Sequence, residues 1–494
     1  MTAKTIHRGP ILIALAVLLV AAIVYDGSES SSQASAARAG AIAANPAVPP
    51  ADALSTSWYC TEGTSTADGR ADETILVASV ADTRIDATVT VMPGGVAAPV
   101  SRTVHLEPRA EARVRVADLV EAPEPAVVVE VVGGQAVVSH QLDARSPSTG
   151  GDIATEPCAR GASSDWYFAS GTTLKGAQQF LVLFDPFGDD AIVDVTFVTD
   201  DGVQEPDALQ ALAVPRRSRV TIPVHVAVPR QRDVAIHVHA RTGRVVAERS
   251  HLFDGTASDG EVVREGVALS LGAEAPRHEW YFPYGSTSDG ASGVIGVANF
   301  SASSTTVEVN VILDGEETLA AQSVAIPARG VTTVDVSTHV PAGSQYAVAV
   351  IARDTEGRAG PVVAELLEWW PSASASTGAA TTLGSTRLAR RWVIALPAAN
   401  VDGVVTVLNP GSQPLTAALL VFDAGETTGP PSEPERAVEA GRFAVFDLAA
   451  LDAGGDHVLV VTADRPVAVG ITYTGPAGAS ITAAVPDYTY GTRG

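Results

Sequence analysis

The stretch Trp166-Tyr167-Phe168-Ala169-Ser170-Gly171-Thr172 decides the fold of this chain, because it recurs. The other copies are Trp58-Tyr59-Cys60-Thr61-Glu62-Gly63-Thr64, Trp280-Tyr281-Phe282-Pro283-Tyr284-Gly285-Ser286 and a reduced form, Trp392-Val393-Ile394-Ala395-Leu396. We call this stretch the opening phrase. Its period of about 110 residues is too long for a solenoid repeat and has the size of a whole small domain. The sequence therefore predicts four copies of one domain in tandem.

Each copy also ends on related residues, which we call the closing phrase. It is Arg244-Val245-Val246-Ala247-Glu248 in the second copy and Pro361-Val362-Val363-Ala364-Glu365 in the third. Between the two phrases lie alternating, β-branched runs such as Ile192-Val193-Asp194-Val195-Thr196-Phe197-Val198. Such runs place one face in a core and one in water, and turn-forming clusters separate them, as in β-sandwiches. We predict an all-β chain of four tandem immunoglobulin-like β-sandwich modules after one N-terminal transmembrane helix.

The recurring Trp is expected to be buried between two sheets as a core anchor. The alternative is an exposed aromatic ring that stacks on sugars. The glycine five residues later, at Gly63, Gly171 and Gly285, is expected to permit a turn with positive φ.

Residues 11–25 form an uninterrupted apolar run, with Lys4 and Arg8 before it and Asp26 after it. This charge order places the N-terminus in the cytoplasm by the positive-inside rule. The run is shorter than the about 20 residues of a full span, so a cleaved signal peptide remains an alternative. We prefer an uncleaved signal-anchor, which gives a single-pass cell-membrane protein whose bulk is extracytoplasmic. If the segment is cleaved, the protein is secreted.

The expected boundaries follow from these patterns and from Ala/Ser/Thr/Pro-rich breaks. They are a cytoplasmic tail 1–8, a transmembrane signal-anchor 9–26, a flexible Ser/Ala/Pro stalk 27–55, β-sandwich 1 at 56–145, a linker 146–164, β-sandwich 2 at 165–254, a linker 255–278, β-sandwich 3 at 279–371, a linker 372–390 and β-sandwich 4 at 391–490.

Cys60 and Cys158 are the two cysteines of the chain. Cys60 takes the place of Phe168 and Phe282 in the opening phrase, and Cys158 follows the last strand expected in the first copy. A disulfide between them would join the two ends of module 1, in a compartment that permits such bonds, and stabilise it by about 4–5 kcal/mol. Two separate free thiols are the alternative.

The net charge of −24 comes from 56 acidic against 32 basic residues. A nucleic-acid-binding protein needs a basic stripe, so we expect no nucleic-acid partner. The densest basic cluster, Arg216, Arg217 and Arg219, is expected to be a solvated strand entry. The acidity also disfavours membrane contact beyond the N-terminal helix.

The sequence contains no nucleophile elbow, phosphate-binding loop, dinucleotide fingerprint or His-Glu-x-x-His pair, so we predict no catalytic residue, no cofactor and no metal site. Three features are set against that expectation. His237 and His239 share one strand face and could ligate a metal with His225 or His251, although a plain polar face is the preferred interpretation. Turn carboxylates could hold calcium, although Asp is also a common turn residue; they are Asp185, Asp189, Asp190, Asp200 and Asp201.

Trp369 and Trp370 are the third feature. Because successive strand residues face opposite sides, one of the two rings is expected to lie outside the core or over the linker. We mark both as possible ligand contacts, for a carbohydrate in particular. Packing between modules is the preferred interpretation of the pair.

The opening phrase, the later turns and the closing Val-Val-Ala-Glu resemble tandem β-sandwich repeats of bacterial surface proteins. With the N-terminal anchor, the chain is similar to an uncharacterised actinobacterial family of membrane-anchored secreted proteins with Trp-Tyr-Phe β-sandwich repeats. Members are often encoded beside a large membrane glycosyltransferase, so the resemblance implies work in the cell envelope, accessory to glycan assembly. The family has no established catalytic residues. The fourth copy departs from it by lacking the Tyr, Phe and Gly of the opening phrase.

These observations favour a non-enzymatic, membrane-anchored extracytoplasmic scaffold or interaction protein of the bacterial cell envelope. Its expected partner is an envelope protein or a glycan. One alternative is a carbohydrate-binding module array. The other is a divergent extracellular hydrolase, since a catalytic triad needs no local sequence motif.

Overall fold

The structure is a computed structural model that describes residues 46–95, 97–144, 152–258, 262–315, 319–371, 377–397, 402–422, 434–451, 457–475 and 478–490. Apart from short helical turns, the regular secondary structure of these residues is antiparallel β-sheet, as predicted. The segment Ala44–Gly494 forms one compact unit. The predicted transmembrane segment lies outside the described residues. Among the residues that are described, no helix is long and apolar enough to cross a membrane.

Module 1 consists of two facing four-stranded sheets, ordered β1-β6-β3-β4 and β5-β2-β7-β8. Its strands are β1 (Ser55–Cys60), β2 (Ala71–Ser79), β3 (Ile85–Met92), β4 (Val100–Leu106), β5 (Glu111–Arg115), β6 (Ala126–Val132), β7 (Ala136–Ala144) and β8 (Asp152–Pro157). Alternate residues of both sheets, such as Val89 of β3 and Ile75 of β2, meet in one core.

Module 2 repeats this arrangement with the sheets β12-β11-β15-β9, in which β13 also pairs with β11, and β14-β10-β16-β17. Its elements are β9 (Asp165–Phe168), β10 (Ala177–Asp185), β11 (Ala191–Thr199), β12 (Gly202–Gln204), β13 (Leu212–Val214), β14 (Ser218–Pro223), the one-turn helix α1 (Val224–Ala227), β15 (Val234–Thr242), β16 (Val246–Asp254) and β17 (Glu265–Leu271).

Module 3 has the sheets β18-β23-β20-β21 and β22-β19-β24-β25. Its strands are β18 (Glu279–Phe282), β19 (Ser292–Asn299), β20 (Thr305–Leu313), β21 (Gln322–Ile326), β22 (Gly330–Asp335), β23 (Tyr346–Asp354), β24 (Val363–Trp370) and β25 (Gly378–Leu383).

Module 4 differs because one long strand serves both of its sheets. Strand β31 pairs with β28 and β26 along its first part and with β27 and β32 along its second part. The strands are β26 (Ala389–Ala395), β27 (Asp402–Asn409), β28 (Leu415–Phe422), β29 (Glu435–Val438), β30 (Arg442–Asp447), β31 (Val458–Gly475), β32 (Gly478–Ala483) and β33 (Val485–Pro486). Short 3-10 turns connect strands at Val116–Asp118, Asp207–Leu209, Ser288–Gly290 and Ala449–Leu451.

The recurring Trp is a core anchor, which confirms the prediction: Trp58, Trp166, Trp280 and Trp392 are at most 1% exposed. The indole N–H of Trp166 donates to Val245 O at 2.6 Å, so the opening phrase is tied to the closing phrase of the same module. Trp280 and Trp392 make the equivalent bonds to Val362 O and Val467 O.

The glycine of the opening phrase serves two different purposes. Gly63 and Gly171 have φ of +152° and +156°, as predicted. Gly285 has no such φ and is needed for space instead, because a Cβ there would lie 2.3 Å from the Tyr346 ring.

The segments expected to be linkers contain strands. Strands β8, β17 and β25 lie inside 146–164, 255–278 and 372–390, and each pairs with the closing strand of its own module. Their Gly, Ala, Ser and Thr content suggested flexible chain. In the structure those small residues allow close packing, because these strands are covered on both faces.

The end of the expected stalk is also part of the folded body. Val48 is 4% exposed and packs in the module 1 core. Its N–H donates to Pro486 O of module 4 at 2.9 Å. Within 27–55, residues 46–55 therefore lie against the sandwiches.

Candidate functional site

Four equivalent strands, one from each module, meet in the middle of the molecule. Strand β8 packs against β17 and β32, and β25 packs against the same two strands, so the four form a closed cycle. We call them the axial strands. Because each belongs to a different module, the cycle brings the modules together as a ring rather than as an extended row.

Asp152 places a carboxylate at the centre of this cycle. Its oxygens accept from the N–H groups of Ile153 at 2.9 Å, Val267 at 2.7 Å and Ala479 at 3.1 Å, and also from Ala379. These four N–H groups occupy the same position in the four axial strands. Burial raises the pKa of Asp152, and the four backbone donors oppose that rise. One side chain thus binds all four modules.

The other three modules carry glycine where module 1 has Asp152. A Cβ at Gly266 or Gly478 would lie 2.3 or 2.0 Å from an Asp152 oxygen. At Gly378 the corresponding distance is 2.9 Å. The centre therefore holds one side chain, and three glycines make the space for it.

The closing phrase of one module binds the opening phrase of the module before it. Glu248 of module 2 is fully buried and accepts from the N–H groups of Thr61 at 3.0 Å and Glu62 at 2.8 Å in module 1. The two sequence repeats are therefore complementary halves of one contact, which we call a clamp.

Glu365 forms the same clamp between modules 3 and 2. It accepts from the N–H groups of Ala169 and Ser170, both at 2.7 Å. Arg249 of module 2 pairs with its other oxygen at 3.1 Å and also donates to Ser170 O. Glu365 and Arg249 are at most 1% exposed, so this is a buried ion pair with several hydrogen bonds.

The junction of modules 3 and 4 replaces the charged clamp by an apolar one. Pro283 has no N–H to donate, and Gly470 stands where modules 2 and 3 have Glu248 and Glu365. Tyr284 fills the space, because a Cβ on Gly470 would lie 1.9 Å from its ring. The carboxylate and one of its two N–H donors are thus lost together.

The ring closes between modules 4 and 1 through a different carboxylate. Glu111 of β5 accepts from the N–H of Leu396, the fifth residue of the fourth opening phrase, at 3.0 Å. Val393, Val460 and Val485 of module 4 complete the apolar core of module 1.

The cluster Arg216, Arg217 and Arg219 was expected to be a solvated strand entry, and this prediction is wrong for Arg219. Arg216 and Arg217 are exposed, but Arg219 is 8% exposed and reaches into module 1. There it donates to Thr61 O, Gly63 O and Pro125 O at 2.8–2.9 Å. It is therefore an inter-module contact and not a solvated strand entry.

A histidine lies among buried carboxylates at the junction of modules 1 and 2. His140 Nδ1 is 3.1 Å from Glu73, and its Nε2 is 3.5 Å from Glu248. Burial lowers the pKa of His140, but the two carboxylates outweigh this effect and raise it to about 9. Burial raises the pKa of Glu73 to about 7. An imidazolium between two carboxyl groups is thus the stable arrangement at neutral pH.

Cys60 and Cys158 form the predicted disulfide, with both residues fully buried. The bond joins β1 to the residue that follows the axial strand β8. It therefore fixes the first axial strand to the opening phrase of its module.

Neither Trp369 nor Trp370 projects from the protein, although one of the two rings was expected to lie outside the core or over the linker: they are 8% and 4% exposed. Trp369 packs with Phe253 between modules 2 and 3, and the Arg264 guanidinium lies 4.4 Å from its ring centre. The closing strand β24 is covered on both faces, because β24 lies between modules and not at the surface. Packing between modules accounts for the pair.

Trp370 also lines a cavity between modules 3 and 4. Its volume is about 150 Å³, and its walls combine rings with hydroxyl groups. Among the lining residues are Tyr346, Phe443, Asp289, Thr406 and Thr472. A predicted ligand-contact residue therefore lies at a cavity.

His237 and His239 meet Asp165 of β9 rather than His225 or His251. Their ring nitrogens Nε2 and Nδ1 lie 3.0 and 2.9 Å from one oxygen of Asp165. His225 and His251 bind the backbone oxygens of Gln179 and Thr172 instead. The sequence analysis missed Asp165, although it directly precedes the second opening phrase.

Three of the aspartates considered for calcium accept hydrogen bonds within module 2, at opposite ends of β11. Asp185 accepts from Phe187 N–H and Asp190 from Arg216 N–H, whereas Asp201 binds the Gln231 side chain at the other end of β11. The strand separates the two groups, so they do not form one site.

Comparison with known proteins gives a family and no function. A family model described as a family of unknown function (DUF5719) matches residues 149–261 and 266–486. No curated protein matches the chain. Among solved structures, the crystal structure of Thermotoga maritima 1070 is 15% identical with a TM-score of 0.20, and it aligns with 22% of this chain and 93% of its own. The Anabaena sensory rhodopsin transducer is 16% identical with a TM-score of 0.16, covering 18% and 95%. These scores are too low to bear on fold or function.

Proposed function

Because this chain belongs to a family of unknown function (DUF5719), we propose its function from its own geometry: it is a non-enzymatic scaffold or interaction protein of the bacterial cell envelope. In this proposal residues 9–26 anchor it in the membrane and four immunoglobulin-like modules stand outside the cytoplasm. Its partner is an envelope protein or a glycan. The chain itself is proposed to be accessory to envelope glycan assembly.

The observation that carries the proposal is the Asp152 carboxylate, which accepts N–H groups from all four axial strands. Modules that act independently do not need a shared buried carboxylate, whose desolvation is costly unless its hydrogen bonds are satisfied. The arrangement favours a rigid body that holds its outer surfaces in fixed positions. Such a body suits the positioning of partners.

The disulfide supports the extracytoplasmic location. Cys60 and Cys158 are bonded, and such bonds persist in oxidising compartments outside the cytoplasm. The acidic surface, with a net charge of −24, favours a soluble body that stays clear of anionic lipid.

Mild crosslinking of the tagged full chain in its own cells, followed by purification and mass spectrometry, tests the proposal. We expect one envelope protein or glycan to be enriched over a tag-only control. Asp152→Asn is expected to reduce that enrichment, and the exposed variant Asp86→Asn to retain it. Recovery of no envelope component with the wild-type chain contradicts the proposal.

A carbohydrate-binding role is the second candidate, and the cavity beside Trp370 favours it. Rings that offer a flat face, together with hydroxyl groups, suit a sugar, and about 150 Å³ suits a single sugar ring at most. Glycan-array binding tests this candidate. Thr472→Val and Asp289→Asn, which change the lining with little change in volume, are expected to abolish binding. Binding that both variants retain excludes this cavity.

A further inference from the structure

Two imidazoles and one carboxylate converge on a single point at the surface of module 2. His237 Nε2 and His239 Nδ1 both approach Asp165 Oδ1, at 3.0 and 2.9 Å, and the three ligand atoms lie within 4.8 Å of one another. The pairing of β9 with β15 creates this convergence, since His239 lies opposite Asp165 and His237 opposite Tyr167. The site is therefore built on two hydrogen-bonded strands and not on a loop.

The two nitrogen–oxygen distances are close to those around a tetrahedral metal ion. Ligand atoms bound about 2.0–2.2 Å from zinc in tetrahedral geometry lie about 3.3–3.5 Å apart. The two nitrogen–oxygen distances need to lengthen by only a few tenths of an ångström to reach that value. In the absence of a metal, each of the two nitrogens donates its proton to the same oxygen. With a metal ion bound at that point, each neutral imidazole carries its proton on the other ring nitrogen.

Neighbouring groups fix the orientation of the ligands. The His237 ring stacks on Tyr167 with ring centres 4.4 Å apart, and Phe300 of module 3 lies 5.9 Å away. Ser164 donates to the second oxygen of Asp165 at 2.8 Å. Such outer contacts set the direction of ligand lone pairs in metal sites. His239 is half exposed, so a fourth position is open to water.

The nearby charges do not oppose a cation. On the adjacent strand β11, Asp194 lies opposite His239. The guanidinium of Arg241 donates to Asp194 at 2.6 Å, so its positive charge is paired with a carboxylate. Glu205 accepts from Thr196, the residue opposite His237. The described residues contain a second set of possible metal ligands, Cys60, Cys158 and His140. That set is excluded as a metal site because its two sulfurs form the disulfide.

We propose that Asp165, His237 and His239 form a binding site for a divalent transition-metal ion of the zinc class. Two imidazoles and one carboxylate suit such an ion, whereas calcium and magnesium prefer sites made of oxygen ligands only. This site is independent of the Asp152 centre and of the clamps.

Isothermal titration of the purified full chain with zinc chloride tests the site. We expect one zinc ion per chain and no binding of calcium under the same conditions. His239→Ala, Asp165→Asn and His237→Phe each remove one ligand, and the Phe variant keeps a ring on Tyr167. Mutation of a residue that only hydrogen-bonds to a metal ligand lowers metal affinity about 10–100-fold. Loss of a ligand itself is therefore expected to lower the zinc affinity at least about tenfold.

His105→Ala is the matched control. His105 is an exposed histidine bonded to a carboxylate, Asp86, at 2.6 Å. That pair offers two ligands in place of three, so the variant is expected to bind zinc like the wild type. Absence of stoichiometric binding in the wild type, or equal binding in the wild type and His239→Ala, overturns the proposal. Loss of binding in His105→Ala overturns the assignment to these residues.

Discussion

Replacing Asp152 by Asn changes a single oxygen to an amide nitrogen at the centre of the ring. The carboxylate accepts from Ile153 and Ala479 on one oxygen and from Val267 on the other. The amide of Asn keeps one acceptor and turns the other into a donor that faces a backbone N–H. Hydrogen bonds to a charged group contribute about 1.5–3 kcal/mol each, so the loss of one or two predicts a destabilisation of about 1.5–6 kcal/mol.

Hydrogen exchange measured by mass spectrometry gives the most informative assay, together with the thermal unfolding midpoint. The N–H groups at issue belong to β17, β25 and β32, which lie in three different modules. We expect Asp152→Asn to increase exchange in all three strands at once. Asp152→Gly, which makes the four axial positions alike, is expected to have at least as large an effect.

Asp86→Asn is the control for this experiment, because that carboxylate is 49% exposed and lies in the same module. It is expected to leave both the midpoint and the exchange unchanged. If Asp152→Asn unfolds like the wild type, or if exchange increases only in module 1, the proposed role of Asp152 as a link between modules is refuted.

Three further changes act on the clamps, a buried acid and the disulfide. Glu365→Ala leaves Arg249 buried without its ion pair, which costs about 3–5 kcal/mol, and adding Arg249→Leu is expected to recover part of that loss in urea unfolding. Burial raises the pKa of Glu368 to about 8, so the folded state keeps a proton that the unfolded state releases above about pH 4.5, and stability falls as pH rises from there to about 8. The difference in unfolding free energy between Glu368→Gln and the wild type is therefore expected to grow in favour of the variant from pH 5 to pH 9. A constant difference across that range contradicts the raised pKa of Glu368. Cys60→Ser with Cys158→Ser opens a loop of sequence separation 98 and is expected to cost about 4–5 kcal/mol, whereas equal midpoints with and without reductant contradict it.

The sequence was sufficient to predict the all-β class, the buried role of the Trp residues and the disulfide. Each of these depends on local periodicity or on the alignment of copies. Cys60, for instance, stands where the other copies have Phe168 and Phe282, and that position is buried in all three. Such a signal is visible without coordinates because it repeats.

The axial strands could not be predicted, because their pattern contradicts the usual signature of a strand. A strand with one face in water alternates between apolar and polar residues, but β25 and β32 are buried at every residue. Small residues such as Gly378 and Ala379 are required there by close packing, and they resemble a linker in composition. Asp152 itself lies in the expected linker 146–164, where no motif distinguishes it.

The clamps were visible only as two separate repeats. Glu248 and Glu365 ended the closing phrase, but nothing in the sequence places a residue of one copy against the backbone of the preceding one. The contact explains one residue of the fourth closing phrase: Gly470 replaces the Glu of the second and third copies, because Tyr284 of the third copy fills its space. The His237 and His239 pair shared a strand face as predicted, but Asp165 came from the neighbouring strand.

Differential scanning calorimetry of the purified full chain tests the central claim, that the four modules form one closed body. The account predicts a single cooperative transition. It also predicts that Glu111→Ala, which removes the acceptor of Leu396 N–H at the closing junction, lowers that whole transition. Several separate transitions in the wild type, of which Glu111→Ala shifts only one, would contradict it.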